Sequence, residues 1–355
     1  MYSSFFSITV QMKAILLPRH GGTENLEYTT DFPIPDCGAD DIRVRIKATS
    51  VNRADTVVRN GYPGLSIPLP HILGGDIVGE IEHIGENVTG YSVGDRVMAT
   101  PVISCGVCPI CVKTPEQNHL CFNWKYFGMH IHGGYAEYCT VPAKNIVRLP
   151  DSISFEEATC FGVAGLTAYH ALYTIAKLKA GETFMIWGGS GGLGTIAVQL
   201  AKAAGAIVIA TVGKDEKKPT IQALGADYVF NHYTDDVPAE VKKLFPYGMN
   251  CIMDYVGPAT FPKSFDMLQK GGRMLLCGIL TGRESMLNIH QTYLRHLSIH
   301  GLYLGTKTEL EELLALAAEK SIKPHIGKVM DLSQAAEAHE LMVSGGYMGK
   351  IVLIP

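Results

Sequence analysis

The sequence predicts an α/β protein: a β-rich first portion, then strand–helix alternation of the kind that builds a doubly wound parallel sheet. Three observations carry this. Several segments before residue 145 are strand-like, the clearest alternating apolar and charged residues with period two. A glycine-rich turn near residue 190 sits between an apolar run and a helical pattern, and strand-like runs keep recurring beyond it.

The chain has 355 residues, 47% hydrophobic and 18% charged, enough for one large or two ordinary domains with buried cores. That composition excludes an intrinsically disordered chain. A net charge of −4 spread along the sequence gives no basis for a nucleic-acid or anionic-membrane partner. No apolar run approaches the length of a bilayer-spanning helix. The stretch before Met12 has neither a basic start nor a long apolar core, so no signal peptide is expected and the protein is placed in the cytoplasm. Met12–Leu17 is strand-like and marks the expected start of the folded unit, the first eleven residues being an extension.

Ile42–Thr49 alternates apolar and charged residues, as a half-buried strand does. Ile77–Gly85 and Asp95–Val102 are further strands bounded by glycines, and Gly133–Val141 resumes the pattern. Between them lie four of the nine cysteines: Cys105, Cys108, Cys111 and Cys121, a C-x2-C-x2-C-x9-C run. Four thiolates on short turns suit one tetrahedral zinc ion, and with no ligand position left open the ion would be structural. An iron–sulfur cluster competes for three of them, but its usual run ends in a close fourth cysteine followed by proline, and here Phe122 follows Cys121. Two disulfides would suit a secreted chain better. Cys37, Cys139, Cys160, Cys251 and Cys277 are scattered and expected to pack.

Ser154 and Glu157 form a capping box that opens a helix leading to the central unit. There, an apolar strand Phe184–Trp187 precedes Gly189-Ser190-Gly191-Gly192-Leu193-Gly194, a helix over Thr195–Ala204 and a second strand over Ala206–Val212. In this context the glycines have distinct tasks. Gly189 permits the tight turn, Gly191 lets backbone amides reach a pyrophosphate, and Gly194 lets helix and strand pack closely. The helix N-terminus adds unpaired N–H groups and a positive dipole end. The alternative, an ordinary glycine-rich turn, explains less of the pattern.

The end of the second strand decides which dinucleotide fits. A free ribose 2′-hydroxyl usually meets Asp or Glu about 20 residues past the glycines. Gly213 stands there instead, followed by Lys214, Lys217 and Lys218, which favours the 2′-phosphate of NADP(H); Asp215 and Glu216 argue for NAD(H) or for a merely solvated charge cluster. Pro219 disfavours helix at Lys218, so the lysines are expected in a loop. Asp227–Phe230, Asn250–Gly257, Arg273–Gly278 and Leu297–Leu304 continue as strands. Thr308 and Glu311 are expected to cap a helix over Glu309–Lys320, and Lys350–Pro355 forms a final strand.

The chain resembles the medium-chain dehydrogenase/reductase superfamily over nearly its whole length. The likeness rests on Val93-Gly-Asp-Arg-Val97, the four cysteines, Gly133-Gly-Tyr-Ala-Glu-Tyr138, Thr167-Ala-Tyr169, the glycine fingerprint and Gly349-Lys-Ile-Val352, all in the family's order. The resemblance implies a GroES-like catalytic domain over 1–164, with a zinc lobe at about 103–123, completed by 304–355. A Rossmann domain over 165–303 is implied between them, with the active site in the cleft. It also implies a homodimer or homotetramer in which an edge strand within Leu297–Leu304 pairs across a two-fold axis.

The chain departs from the family's zinc alcohol dehydrogenases at the catalytic metal. Their three ligand positions fall on Asn52, Gly75 and Val163, of which two offer no donor side chain and one a poor one. His71 and Cys160 lie near enough to be considered as replacements, with packing as the simpler reading. Without a Lewis acid to lower the pKa of an alcohol, quinones and conjugated enones, already electrophilic, become the expected substrates. Val51-Asn-Arg-Ala-Asp-Thr56 also resembles the quinone reductases that lack catalytic zinc, although those lack the four-cysteine lobe.

By the same resemblance Gly189, Ser190, Gly191, Gly192, Leu193 and Gly194 cradle the pyrophosphate, while Gly213 with Lys214 and Lys217 or Lys218 meets the 2′-phosphate. Val256, Gly278, Ile279 and Tyr303 line the cofactor, and Asn52 and Thr167 face the nicotinamide. Tyr62 is either a hydrogen-bond donor to substrate or a loop aromatic without a chemical role. Asp55 and Asp76 are expected to pair with basic neighbours such as Arg53. The leading function is NADPH-dependent reduction of a quinone, enone or related carbonyl. An alcohol dehydrogenase with a rearranged zinc site and a non-catalytic NADPH-binding protein are the alternatives.

Overall fold

In the computed structural model, which describes residues 11–62 and 64–355, the period-two segment forms the strand Asp41–Ser50 at the heart of a seven-stranded sheet. The expectation for the N-terminal extension falls largely on residues 1–10, outside the described residues. Ile42, Val44 and Ile46 point to one face and bury against Ile77, Ile81, Val97 and Val141. The sheet runs Ile326–Asp331, Lys350–Ile354, Asp41–Ser50, Val78–Ile84, Arg96–Ala99, Ile146–Arg148, and Tyr138–Pro142 also pairs with Asp41–Ser50. The last strand of the chain lies antiparallel to the first of this sheet, with Val352 opposite Ser50 and Leu353 opposite Thr49. The tail therefore completes the N-terminal half.

The second sheet is parallel throughout and has six strands. Its spatial order is Tyr228–Asn231, Ile207–Val212, Thr183–Ile186, Met249–Asp254, Leu268–Leu276, Ser298–Gly301. Numbered along the chain this is 3-2-1-4-5-6, with a switch point between Thr183–Ile186 and Met249–Asp254, where such sheets open a ligand crevice at their carboxyl ends. Thr183–Ile186 is buried at every position because helices cover both faces of the sheet. Ser298–Gly301 is one of its two edge strands, Tyr228–Asn231 the other. The two sheets meet at the glycine-rich turn, where the Gly349 amide donates to Ser190 O at 2.8 Å.

Four local expectations are corrected. The strand foreseen over Asp95–Val102 ends at Ala99, because Pro101 cannot donate to a ladder and the Thr100 amide turns to Asn145 O. Of Gly133–Val141 only Tyr138 onward is a regular strand. Gly133 and Gly134 instead press on the backbone of the 73–76 segment, where added Cβ atoms would lie 2.2 Å from Gly74 O and 2.5 Å from Asp76 O. Lys218 is helical (φ −57°, ψ −48°) despite Pro219, its ammonium drawn to Asp215 at 2.8 Å and Asp235 at 3.3 Å. The helix Lys307–Lys320 is capped by Thr306 and Glu309, not Thr308 and Glu311, since Thr306 has the extended backbone a cap requires. No described helix is long and apolar enough to cross a membrane.

Candidate active site

The strand Thr183–Ile186 delivers the chain to the switch point, and helix Gly192–Ala203 leaves it. The turn between them is braced: the Gly188 amide donates to Thr211 Oγ1 at 3.0 Å, the Gly189 amide to Thr211 O at 2.7 Å, and Tyr255 Oη to Gly188 O at 2.6 Å. Gly194 has no alternative, because a Cβ there would lie 2.4 Å from Gly188 O. Gly192, Leu193 and Gly194 fall in the first helical turn, whose amides have no intrahelical partners. A pyrophosphate fits this cradle on the chemistry of its donors.

At the ribose end the three lysines are not equivalent. Lys217 Nζ donates to Tyr347 O at 2.7 Å, and Lys218 is held by its two aspartates. Lys214 remains exposed, with Glu216 3.7 Å away. No carboxylate stands at Gly213; beside it are Tyr233, whose ring would lie 3.1 Å from an added Cβ, and His232 Nε2 at 3.4 Å. His232 and Tyr233 follow a strand in sequence and carried no pattern that pointed to this site.

Across the crevice, the Val256 carbonyl accepts from the Thr281 amide at 2.8 Å and Gly278 packs on Tyr255 O. Ile279 and Tyr303 are each 47% exposed, and Tyr303 lies against Trp124 and Tyr126 with ring separations of 5.5 and 6.3 Å. Tyr62 sits in an exposed loop with the Arg283 guanidinium 5.4 Å over its ring. Thr167 is buried and donates to Val163 O at 2.6 Å, which leaves its oxygen free to accept.

Around Asn52, Gly75 and Val163, where the resemblance leads one to look for catalytic-zinc ligands, the structure has a network of hydrogen bonds. Asn52 Oδ1 accepts from Lys350 Nζ at 2.6 Å, and Asn52 Nδ2 donates to Asp76 Oδ2 at 2.7 Å. Ser50 Oγ also donates to Asp76 Oδ2, at 2.5 Å, and Lys350 Nζ lies 3.5 Å from it. Asp76 Oδ1 accepts from the Val163 amide at 2.8 Å. That bond takes Val163 out of the regular helical ladder, and the helix widens into a π-turn over Phe161–Gly165. At Gly75 a Cβ would lie 2.1 Å from Tyr126 Oη, a fully buried hydroxyl with no partner among the described residues. The expected partner of the aspartates, Arg53, points instead to Met342 O. Asp55 caps its helix by accepting from the Asn52 amide at 2.8 Å and from Tyr135 Oη at 3.2 Å; burial pushes its carboxyl up to about 7. His71 is buried, its Nε2 without a partner among the described residues and its pKa pushed down to about 4 by burial, and burial holds the Cys160 thiol up at about 12.

The four-cysteine lobe is built differently. Cys108 Sγ lies 3.6 Å from Cys111 Sγ and 3.8 Å from Cys121 Sγ, and all four sulfurs fall within 4.8 Å of one another. Four sulfurs about 2.3 Å from one tetrahedral ion are about 3.8 Å apart, so a single ion fits; a multi-iron cluster, which spreads its cysteines over several metals, does not. Backbone N–H donors, that of Cys111 first, draw the Cys108 thiol down to about 6. Among the described residues no other group of three or more His, Cys, Asp and Glu converges in this way.

Lys350, Asp76, Ser50 and Tyr126 were missed as parts of the site. One signal was present for Lys350: a lysine opening an otherwise apolar strand, Lys350–Ile354.

Residues 38–151 match the alcohol dehydrogenase GroES-like domain, and residues 192–319 match the zinc-binding dehydrogenase family. An alcohol dehydrogenase of Geobacillus stearothermophilus is 37% identical over 320 residues, covering 90% of this chain and 93% of that protein. A quinone oxidoreductase of Homo sapiens is 30% identical over 351 residues, covering 97% and 98%. The crystal structure of an NAD-dependent alcohol dehydrogenase superposes with a TM-score of 0.92 at 35% identity, covering 97% of this chain and 100% of that one.

Proposed function

Because the chain belongs to the medium-chain dehydrogenase/reductase superfamily, whose two domain models and full-length relatives it matches, we propose that it is an NADPH-dependent oxidoreductase delivering a hydride to a quinone, a conjugated enone or a related carbonyl without a catalytic zinc. The observation that carries this reading is the Lys350–Asn52–Asp76 network, together with the Tyr126 hydroxyl pressed on Gly75, at the positions where a zinc ion would need its ligands. The quinone oxidoreductase relatives support it. A structural zinc on Cys105, Cys108, Cys111 and Cys121 is part of the same proposal.

The reduced nicotinamide supplies the hydride when bound. The amides opening helix Gly192–Ala203 hold the pyrophosphate, and Lys214 with His232 receives the 2′-phosphate. Thr167 Oγ1 accepts from the carboxamide, and Asn52 lies beside the ring. Tyr303 and Trp124 form an aromatic wall that keeps water from the reacting face, and Tyr62 at the exposed mouth meets solvent, the source of the proton.

Steady-state NADPH oxidation against quinones, enones and aldehydes tests this, with NADH and alcohol oxidation as comparisons. Turnover of a quinone or enone that prefers NADPH supports it. Replacing Lys214 by alanine is expected to weaken NADPH by about tenfold and leave NADH unchanged. The second reading, alcohol dehydrogenation, is favoured by the Geobacillus stearothermophilus relative; alcohol oxidation abolished by a chelator would establish it and overturn the first.

A further inference from the structure

Arg273, Arg283 and Arg295, the arginines of the parallel-sheet half, differ in what holds their charge. Arg273 pairs with Glu182 at 2.7 Å, and Arg295 donates to Phe265 O at 3.2 Å and to Leu268 O. Arg283 has neither an ion pair nor a hydrogen bond among the described residues, although Glu284 follows it in sequence. Its loop is nonetheless tied down. The Thr281 amide and Thr281 Oγ1 donate to Val256 O at 2.8 and 2.9 Å, and Gly282 turns the chain with a φ of +146°. This sets Arg283 beyond the carboxyl end of strand Leu268–Leu276, where parallel sheets bind their ligands. There its guanidinium lies 5.4 Å from the ring centroid of Tyr62, a residue of the other half of the molecule. The two side chains meet across the mouth of the cleft. Tyr62 is exposed, and its hydroxyl has no hydrogen-bond partner among the described residues. Behind this pair the wall is aromatic, with Tyr303 packed against Trp124 and Tyr126. Burial first, then the nearby Asp55 and Tyr62, hold the Tyr303 phenol protonated well above its ordinary value.

We propose that the mouth of the cleft selects substrates that join a flat conjugated ring system to an anionic oxygen group, a carboxylate or sulfonate: Tyr303 and Trp124 stack on the ring, while Arg283 and the Tyr62 hydroxyl hold the anion. This rests on the reading of the cleft as the carbonyl-reducing site and names the class of carbonyl it takes. A guanidinium presents its N–H donors as a fork that matches two oxygens of one anionic group, and the phenol supplies a further donor. In the empty cleft the guanidinium rests on the Tyr62 ring, a weak exposed contact that a charge-assisted hydrogen bond outcompetes. Because both side chains stand at the solvent end, the anion keeps part of its water and no charge is buried by binding. The cofactor's phosphates are served elsewhere in the crevice, by the amides of helix Gly192–Ala203 and by Lys214. A neutral substrate gains only the stacking, and a cationic one is repelled.

The test reads binding, so it does not depend on which carbonyl is reduced. Naphthalene-2-sulfonate and its neutral counterpart naphthalene-2-sulfonamide are titrated by calorimetry into the protein saturated with oxidised cofactor, at low salt. Wild type is expected to bind the sulfonate about tenfold more tightly than the sulfonamide, a preference that shrinks as salt is raised. Arg283 is exposed and makes no hydrogen bond, so Arg283→Met is expected to fold; it should cut the preference to below about threefold, and Arg283→Lys should keep part of it. Tyr303→Ala should weaken both probes by a similar factor. Equal affinities in wild type, a preference that survives Arg283→Met, or a Tyr303→Ala variant that binds both probes as wild type does would overturn the proposal. So would an Arg283→Met variant that loses NADPH affinity as steeply as sulfonate affinity, since the guanidinium would then serve the cofactor. The reductase reading is decided separately, by NADPH oxidation. A wild type that prefers the sulfonate but reduces no carbonyl sinks that reading and leaves the anion site standing, and a reductase without the preference does the reverse.

Discussion

Two regions of this protein answer the same question, how to place positive charge among polar side chains, in opposite ways. The four-cysteine lobe gathers sulfurs from one stretch of 17 residues, 105 to 121, within 4.8 Å of one another. The cleft gathers Ser50, Asn52, Asp76, the Val163 amide and Lys350 from segments up to 300 residues apart. The lobe is a set of four sulfur donors spaced for one tetrahedral ion; the cleft holds a lysine ammonium against an aspartate. The contrast is between a cluster that the local spacing of one loop builds and a polar network in which a lysine neutralises an aspartate far away in sequence.

The largest expected effect concerns the lobe. Metal analysis of the purified protein should find one zinc per chain, lost in Cys108→Ser along with several degrees of thermal stability, since a structural zinc contributes folding free energy directly. Two zinc ions per chain, the second surviving Cys108→Ser, would break the comparison. The next effect concerns Gly75. Restoring a histidine there should not restore a metal site, because the first added atom already meets Tyr126 Oη at 2.1 Å and Cζ at 2.7 Å. Gly75→His is expected to cost about 1–3 kcal/mol in urea unfolding without any gain in bound zinc. A stable, two-zinc variant would mean that Tyr126 yields easily and that the cleft is not committed to its present form.

Much of this difference lay within reach of the sequence on one side only. The four-cysteine cluster was legible because its spacing is local, and so was the glycine turn, whose strand–turn–helix context lies within 30 residues. That Gly75 and Val163 bring no donor side chain was legible in the sequence, as was the closing strand. The network around them was not. Lys350 and Asp76 meet across 274 positions, and no periodicity connects them. Arg53, the basic group nearest in sequence, was the natural partner for Asp55 and Asp76, yet helix geometry turns it to Met342 O. The difference among the lysines was not legible either: charge composition marked the loop as basic, but Tyr347, far along the chain, holds Lys217, and Asp215 and Asp235, nearer by, hold Lys218.

The cleft should also titrate in a way the lobe does not. Burial raises Asp55 from 3.8 to about 7, so the folded state keeps a proton that the unfolded chain releases above about pH 4. The stabilising contribution of this group is full below pH 3.8 and is lost as pH rises towards 7. His71, and His339, whose Nε2 lies 3.1 Å from Tyr135 Oη, are held by burial down to about 4 and about 3 and act in the opposite sense, adding stability as pH rises to 6.5. Subtracting wild type from Asp55→Asn isolates the first effect. The variant should gain on wild type between pH 5 and pH 8 in urea midpoint. A difference that does not vary with pH would mean that Asp55 is ionised in the folded protein and that the cleft carries more negative charge than the Lys350 pair balances.

The smallest effect is the sharpest probe of the rebuilt ligand position. Tyr126 Oη is fully buried and has no partner among the described residues, and removing an unpaired buried hydroxyl relieves a desolvation cost rather than creating one. Tyr126→Phe is therefore expected to be neutral or to raise stability by up to about 1 kcal/mol, against the usual loss on trimming a core side chain. Gly75→Ala should be less costly in that background, though not free, since Cζ still stands 2.7 Å from the new Cβ. A clear loss of stability in Tyr126→Phe would mean that the hydroxyl has a partner, such as an ordered water held against Gly75. The ligand position would then be a hydrated polar pocket instead of a filled one, and the line drawn between lobe and cleft would rest on Lys350 alone.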